Sequence, residues 1–518
     1  MTSENHILLI NPPGWSLNCG GPHIGLPLLK GYLQREGIPT VIKDINLDAS
    51  LGYDKGIREQ DLLKYFKQFD ADLAWDEYLK KVSLFQEVGQ KYGGSWSIKS
   101  GFVFDGCNIK SSQNIDEYSE KESPFTRFYN QKLIAEIEES QPKIVGLSSI
   151  VPSQLLSSFE IAKLLRKQGY DGLLILGGNT PTRIKDSINC LVFEIFDAVI
   201  LNQGEETLKE LYKAVETGRS IKSISNLLIK DNGKVQYTGY KKLEKKDFAM
   251  PDFEGYTLSD YWGINYLTAI GARGCYYGKC SFCTIPFSWG NQGFVGYDQI
   301  SAITNYLIDA KERYGLERFS FVEESMNPKR IEQLSQQLIG KGEKISFEGY
   351  ARFEKSWLDP ALLKTARKAG LRKLFMGLET ISSRAGLHKN DAASDAVLYL
   401  KALHDAGIKV HLFTMYGYPR TSIDDGLRTV EFLFENKELI DTVDLSHFVF
   451  DKHTNHPGTI PSQKITDDWS LSIDYLPENN TILSSEEART LARELECVVL
   501  REKPEWTNPL YRMISPWV

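Results

Sequence analysis

The stretch GCYYGKCSFC (residues 274–283) decides the fold, because it holds three of the chain's seven cysteines, Cys275, Cys280 and Cys283. Three thiolates this close together suit a soft metal centre such as an iron–sulfur cluster. A closed zinc site needs a fourth cysteine or histidine at short spacing, and the next histidine downstream is only His388. Zinc is therefore the weaker interpretation. A chance group of three cysteines is also weaker, because bare reactive thiols are readily oxidised. A cubane held by three cysteines leaves one iron open to a small molecule, which predicts a catalytic site.

The loop also resembles a known family. A strand-like run at residues 267–271 precedes it, and the aromatic Phe282 stands just before the last cysteine. In these features it is similar to the cluster loop of radical S-adenosylmethionine (SAM) enzymes. The commonest family spacing has three residues between the first two cysteines, whereas this chain has four. Loops of the form Gly-Cys-aromatic-aromatic-Gly-Lys-Cys occur in the cobalamin-dependent branch, so the departure points to that subfamily.

The composition is that of a globular protein. The 518 residues are 42% hydrophobic with a net charge of −7, and lysine and arginine are dispersed, so a nucleic-acid surface is not expected. The amino-terminal residues lack the features of a signal peptide, and no apolar run reaches membrane-spanning length. We expect a cytoplasmic protein of two or three domains with no nucleic-acid or membrane partner. The other cysteines, Cys19, Cys107, Cys190 and Cys497, are scattered like unpaired thiols, although an additional cluster ligand among them stays an alternative.

Residues 1–220 alternate between short apolar runs and helical patterns, which predicts an α/β domain with a doubly wound, Rossmann-like sheet. Helical patterns at residues 60–69 and 74–90 predict a helical insertion over about 51–140. Ligands of such sheets bind beyond the carboxyl ends of the strands, where small and polar residues gather in this sequence. These residues are Pro12, Pro13, Ser148, Ser149, Gly177, Gly178, Gln203, Gly204 and Glu205.

The order of these features resembles cobalamin-binding domains fused to radical SAM barrels. Under this resemblance the sheet-edge residues are the cobalamin-binding set, and Ser148-Ser149 and Gly177-Gly178 match positions that line the nucleotide tail. Many corrinoid domains supply a histidine from an Asp-x-His-x-x-Gly loop as lower cobalt ligand. His6 and His23 lie in no such loop, so cobalamin is expected with a displaced tail and no histidine ligand. A sheet that binds a nucleotide, or nothing, stays an alternative.

Residues 265–450 repeat a strand–helix pattern with six strands. Six such units predict a partial (β/α)6, TIM-like barrel, whose chemistry belongs at the carboxyl ends of the strands. A hairpin connector and linker (221–264) is expected before it, and a C-terminal cap (451–518) after it.

The resemblance implies a SAM site next to the cluster. Cys275, Cys280 and Cys283 would hold a 4Fe–4S cluster whose open iron takes the amino and carboxylate groups of SAM. The residues expected to contact SAM lie in the cysteine loop and at later strand ends, where solvated or ion-paired side chains are the alternative. They are Phe282, Glu323, Glu324, Ser325, Arg352, Glu379, Tyr416 and Gly417.

The activity that the resemblance implies is methyl transfer. Methylcobalamin would methylate an unactivated carbon, or phosphorus, of a small-molecule or peptide substrate after the 5′-deoxyadenosyl radical activates it. An electron donor such as flavodoxin or ferredoxin would reduce the cluster. Three alternatives stay open: a cobalamin-dependent rearrangement or cyclisation, a radical enzyme without corrinoid, and a non-enzymatic corrinoid or iron–sulfur sensor.

Overall fold

The computed structural model describes residues 6–14, 22–51, 83, 86–97, 101–261, 266–291, 293–297, 299–385, 392–454, 467–474, 483–507, 512 and 515–517. The helix predicted at 60–69, and most of the one at 74–90, lie outside these residues. Within the described ranges, no helix is long and apolar enough to cross a bilayer.

The strands, in chain order, are β1 (Ile7–Asn11), β2 (Thr40–Asp44), β3 (Gly94–Ser97), β4 (Gly101–Phe104), β5 (Ile144–Ser148), β6 (Leu173–Gly177), β7 (Ala198–Ile200), β8 (Leu227–Asp231), β9 (Lys234–Tyr237), β10 (Leu267–Ala269), β11 (Ala272–Arg273), β12 (Val295–Gly296), β13 (Arg318–Phe321), β14 (Ser346–Ala351), β15 (Leu371–Glu379), β16 (Lys409–Tyr416), β17 (Thr442–His447), β18 (Phe450–Asp451) and β19 (Ser472–Ile473).

The α-helices, in chain order, are α1 (Gly25–Arg35), α2 (Ile45–Leu51), α3 (Ser112–Tyr118), α4 (Thr126–Phe128), α5 (Ala135–Ser140), α6 (Gln154–Lys167), α7 (Asn179–Arg183), α8 (Glu205–Thr217), α9 (Ile285–Ser288), α10 (Ile300–Tyr314), α11 (Pro328–Gly340), α12 (Pro360–Ala369), α13 (Ala392–Asp405), α14 (Ile423–Glu435), α15 (Ser485–Glu502) and α16 (Pro504–Thr507). A π-helical turn, Tyr129–Ile134, joins α4 to α5.

The first sheet has the strand order β2-β1-β5-β6-β7-β8-β9 among the described residues. Its first five strands are parallel. Two hydrophobic cores lie on its two faces, as expected of a parallel sheet covered by helices. Consecutive apolar residues such as those of β1 are buried on both sides, which is why the sequence shows apolar runs rather than alternation.

Two segments around this sheet differ from the sequence-based expectation. The hairpin β8–β9, expected as a connector, pairs antiparallel with β7 and extends the sheet, because Leu227 and Leu228 are buried there. The insertion is not purely helical, since β3 and β4 form a hairpin. Trp96 and Phe102 of this hairpin pack in the core of the first sheet.

The second sheet has the order β10-β13-β14-β15-β16-β17, and every pair is parallel. These are the six strands that the sequence predicts for a partial barrel. Apolar residues of α10 to α14 pack against the outside of the sheet in one large core. The mixed α/β fold with a barrel-like second sheet is therefore present, whereas the domain bounds stay predictions.

The C-terminal residues contact both halves of the molecule. Lys373 of β15 is fully buried and donates to the Ser515 hydroxyl at 2.7 Å, and Ser515 in turn donates to Asp441 at 2.7 Å. Trp469 instead packs in the core of the first sheet, with its ring centroid 5.9 Å from that of Phe159. The segment expected as a cap thus also covers the first sheet.

Candidate functional site

The cysteine loop leaves the barrel at the carboxyl end of β10 and is held closed at its base. β11 pairs antiparallel with β12, which brings residues 272–273 against 295–296. Gly274 has φ +73°, and a Cβ there would lie 2.5 Å from the Gly293 carbonyl oxygen. Only glycine fits this position, so the residue before Cys275 is part of the loop's geometry.

The three cysteines are partly buried on this loop. Burial raises the pKa of Cys283 to about 12, and negative charge on Cys280, Glu324 and Cys275 adds to the effect. The thiolate of Cys283 is thus unfavourable without a compensating positive centre. Among the described residues, no group of three or more histidine, cysteine, aspartate or glutamate side chains is arranged around one metal ion. A cubane does not need that convergence, because each cysteine binds a different iron, so the donor set fits a cluster better than zinc.

Glu323 supports the base of the cysteine loop. Its carboxylate accepts from the Gly271 backbone N–H at 2.7 Å, and the carbonyl of Gly271 accepts from Arg330 at 3.0 Å. Burial raises the pKa of Glu323 to about 7, although the Gly271 N–H and the charge of Arg330 oppose the shift. The residue expected to contact SAM therefore fixes the chain four residues before Cys275.

The next residue, Glu324, does face open space. Its carboxylate accepts from the Trp289 indole N–H at 3.0 Å, and burial raises its pKa. Both side chains line the cleft described below. Ser325 is buried beside Tyr276.

Arg352, at the carboxyl end of β14, contacts the aromatic residues of the cysteine loop. Its guanidinium carbon lies 3.5 Å from the centroid of the Tyr277 ring. Tyr276 donates to Glu354 at 2.6 Å, so two strand-end residues hold the loop from the same side. Arg352 thus lies against the two tyrosines that separate Cys275 from the glycine of the loop, and its contact with SAM stays a prediction.

Three further residues predicted to contact SAM, Glu379, Tyr416 and Gly417, lie at the ends of β15 and β16. Glu379 ends β15 with φ +64°, and Gly417 follows β16 with φ +73°. Tyr416 is 2% exposed and packs in the barrel core, so only its backbone is at the edge. Its neighbour Tyr418 shares a 2.9 Å hydrogen bond with Ser281 and packs edge-on against Phe282.

A cleft of about 380 Å³ lies between the first sheet and the cysteine loop. Its polar and small lining residues include six of the predicted set: Ser148, Gly177, Gly178, Gln203, Gly204 and Glu205. Leu9, Gly146, Ile175 and Leu208 line an apolar part beside the first sheet, while Arg273, Ile285, Trp289 and Glu324 line the barrel side. Gly178 has φ +103°, and a Cβ there would overlap the Ser149 carbonyl oxygen. The Gly178 backbone therefore packs directly against the Ser149 backbone, which no other residue type would allow.

Three predicted residues are not in the cleft lining. Ser149 is fully buried and hydrogen-bonds Ser158 at 2.8 Å. The Pro12 carbonyl accepts from Gln154 at 2.8 Å, and Pro13 follows it in the same buried turn. These residues shape the sheet edge without reaching the cleft.

His23 also lines the cleft, a position that no sequence pattern predicts. Its Nδ1 accepts from the Gly25 backbone N–H at 3.0 Å. Burial lowers the pKa of His23 to about 4, so the ring is neutral and its proton is on Nε2. A nitrogen that carries a proton has no lone pair for a metal.

Arg273 and Glu205 join the two halves across the cleft. They form an ion pair with side chains 4% and 3% exposed. Gln203 adds a second link by donating to the Trp289 carbonyl at 3.4 Å. Sequence reasoning did not predict Arg273 and Trp289 as cleft residues. Their closeness in the chain to Cys275 and Cys283 was the one feature that could have indicated it.

No family model matches the chain. Over 335 residues, 62% of the chain, it is 23% identical to an uncharacterized methyltransferase of Pyrococcus horikoshii and covers 69% of that protein. It is 21% identical over 354 residues to 4′-phospho-dehydrooxetanocin synthase of Priestia megaterium, but covers only 46% of that protein.

Solved structures match almost the whole chain. OxsB, a cobalamin-dependent S-adenosylmethionine radical enzyme with aqua-cobalamin bound, superposes with a TM-score of 0.65 at 15% identity, over 97% of this chain and 69% of OxsB. TsrM from Kitasatospora setae, a radical S-adenosylmethionine methyltransferase with cobalamin and a 4Fe–4S cluster bound, gives 0.61 at 12% identity, over 98% and 90%. The chain has the fold of the cobalamin-dependent radical SAM enzymes. The resemblance drawn from the cysteine loop is thereby confirmed at the level of the fold.

Proposed function

We propose that the chain is a cobalamin-dependent radical SAM enzyme that methylates an unactivated carbon, or phosphorus, of a small-molecule or peptide substrate. The observation that carries the proposal is the single cleft shared by the glycine-lined edge of the first sheet and the cysteine loop of the barrel. One site can then hold a corrinoid beside a cluster. When bound, these groups supply a methyl donor and a radical generator.

The roles of this chain's residues follow from their positions. Cys275, Cys280 and Cys283 hold the cluster. Glu323 and Tyr416 position the strand ends from buried sites, so the Tyr416-Gly417 turn is proposed to approach SAM by its backbone. The SAM contacts proposed are Phe282, Glu323, Glu324, Ser325, Arg352, Glu379, Tyr416 and Gly417.

The cleft residues suit cobalamin. Gly177 and Gly178 line the cleft without side chains and are proposed, with Ser148, to line the nucleotide tail, and the apolar part around Gly146 suits the same displaced tail. A Cβ at Gly146 would lie 2.8 Å from a methyl carbon of Leu9 and narrow that part. His23 is held in the tautomer that does not bind metal, which supports a corrinoid without a histidine ligand.

The test uses protein purified without oxygen, reconstituted with iron, sulfide and cobalamin, and supplied with SAM and a reductant. We expect 5′-deoxyadenosine and, with a methyl acceptor, transfer of a deuterated methyl group from labelled SAM. The Cys280→Ala variant should make neither product. Failure of the wild type to cleave SAM in any mixture would contradict the proposal.

A rearrangement or cyclisation is the second candidate. It is favoured by the synthase relative, whose name describes no methyl transfer. Under this candidate, 5′-deoxyadenosine forms together with an altered substrate that carries no label.

The proposal also includes a one-electron donor such as flavodoxin or ferredoxin, and a cytoplasmic location.

A further inference from the structure

Two short helices, one from each half of the molecule, meet at one edge of the cleft. Helix α7 follows Gly178 of the first sheet, and α9 follows Cys283 of the cysteine loop. The two helices contact each other, and each contributes two residues to the cleft lining: Asn179, Thr182, Ile285 and Ser288. The contacts that hold α7 and α9 together therefore determine whether this edge of the cleft is open or closed.

A third segment joins these helices from outside the cleft lining. His453 donates from Nε2 to the Arg183 carbonyl at 2.5 Å. Its ring stacks on that of Phe287, with centroids 3.6 Å apart and 9° between the planes. Asp451 forms an ion pair with Arg183 and accepts from the His453 backbone N–H at 2.9 Å. These four residues are not part of the cleft lining, so they connect α7 to α9 without forming the cavity wall.

The joining segment, residues 450–454, is itself anchored on both halves, and we call it the clasp. Its strand β18 pairs with β19, and Trp469, shortly before β19, packs in the core of the first sheet. On the barrel side, Phe450 packs against a small hydrophobic cluster that Phe282 of the cysteine loop also contacts. The clasp is therefore a built connection between the halves rather than a passing surface loop.

We propose that the clasp closes this edge of the cleft, and that the corrinoid enters and leaves here when the clasp releases. This inference rests on the proposed function, which places a corrinoid in the cleft. The other ion pair across the cleft, Arg273 with Glu205, has side chains 4% and 3% exposed, whereas those of Arg183 and Asp451 are 21% and 9% exposed. The clasp edge is the one closer to solvent. His453 is a positioning residue, because it acts through Phe287 and Arg183.

The clasp has a kinetic signature that a binding residue lacks. A ligand shifts a conformational equilibrium only through contacts that differ between the two states. His453 does not line the cleft, so its loss should favour the open state equally with and without corrinoid. The association and dissociation rate constants should then rise together and leave the dissociation constant unchanged. Loss of a ligand contact would instead change the dissociation constant.

The test measures corrinoid exchange on the full chain by absorbance. Association is followed after mixing with hydroxocobalamin, and dissociation after adding excess cyanocobalamin. His453→Ala removes a stacked ring and a hydrogen bond, so both rate constants should rise about tenfold, with the dissociation constant within about threefold of wild type. His453→Phe keeps the stacked ring and should restore part of the slow exchange.

Two further variants locate the effect. Phe287→Ala should speed exchange as His453→Ala does, and the double variant should add little, because both changes remove the same contact. Phe434→Ala is the control: it removes a ring stacked on Trp506, with centroids 5.6 Å apart and 21° between the planes, behind the barrel. It should keep the wild-type exchange rates. Equally fast exchange in Phe434→Ala would show general loosening and overturn the clasp.

Unchanged rate constants in folded His453→Ala would overturn the clasp while leaving corrinoid binding intact. A dissociation constant raised tenfold or more at an unchanged association rate would also overturn it. If His453→Ala fails to fold, His453→Phe and Phe287→Ala give the same comparison. If no corrinoid binds the wild type, the proposed function fails and the clasp fails with it, so the two failures are distinguishable.

Discussion

Arg273 donates to Glu205 across the boundary between the two sheets, and both side chains are almost fully buried. Arg273 stands two residues before Cys275, and Glu205 begins the helix that follows β7. The guanidinium also lies 5.0 Å from the Phe248 ring and 5.8 Å from the Trp289 ring. The pair therefore connects the first-sheet side of the cleft to the base of the cysteine loop.

The first prediction concerns this pair. Glu205→Leu leaves a buried guanidinium without its counter-charge and should lower the free energy of unfolding by about 3–5 kcal/mol. The double variant Glu205→Leu/Arg273→Met should recover most of that loss, because no charge is left unpaired. Urea unfolding monitored by tryptophan fluorescence measures both. The exposed pair of Arg219 and Glu210 is the control, and Glu210→Gln should change stability by less than about 1 kcal/mol.

The sequence predicts those parts of the fold and the site that depend on residues close together in the chain. The cysteine spacing and the apolar runs of the parallel strands are local signals, and they predict the cluster loop and both sheets. Glu323 and Glu324 show where local reasoning stops, because one turns inward to the Gly271 N–H and the other into the cleft. The placement of Trp469 against the first sheet likewise depends on contacts between segments hundreds of residues apart, which no local pattern encodes.

A second prediction concerns pH and Glu160. This carboxyl accepts from Ser123 at 3.0 Å, and burial raises its pKa from 4.5 to about 7. The folded state holds this proton more tightly than the unfolded state, so stability falls as the pH rises from about 4.5 to 7 and stays low above it. Glu160→Gln should remove this loss. At pH 8 its free energy of unfolding should exceed that of the wild type by an amount on the order of 3 kcal/mol. Urea unfolding at pH 5 and pH 8 measures the difference, and an equal pH dependence in both proteins would refute the assignment.

The third prediction concerns the cluster ligands. Cys280→Ala should abolish most iron retention after anaerobic reconstitution, because a cluster held by three thiolates would keep only two. Cys497 is exposed on α15, far along the chain from the loop, and Cys497→Ala should keep wild-type iron. Iron and sulfide assays, together with electron paramagnetic resonance of the reduced protein, give the comparison. Equal iron in the two variants would show that Cys280 holds no cluster.

The fourth prediction concerns Gly178. Gly178→Ala should weaken corrinoid binding and destabilise the protein by about 1–3 kcal/mol, because the new Cβ overlaps the Ser149 carbonyl and the backbone has φ +103°. Gly218 also has a positive φ, +65°, but nothing within 4 Å of an added Cβ. Gly218→Ala should therefore cost only about 1 kcal/mol and leave cobalamin affinity unchanged. Calorimetric titration with hydroxocobalamin separates the two effects, and equal affinities for both variants would argue against a corrinoid at Gly178.

The most direct measurement is the iron and cobalt content of the protein produced with cobalamin supplied and purified without oxygen, with optical and electron paramagnetic resonance spectra. We predict about four irons and one cobalt per chain, and a cob(II)alamin spectrum without nitrogen coupling from a histidine. Iron without cobalt would contradict the shared-cleft account and leave a radical enzyme without corrinoid. Cobalt with nitrogen coupling that disappears in His23→Ala would contradict the tautomer assigned to that ring.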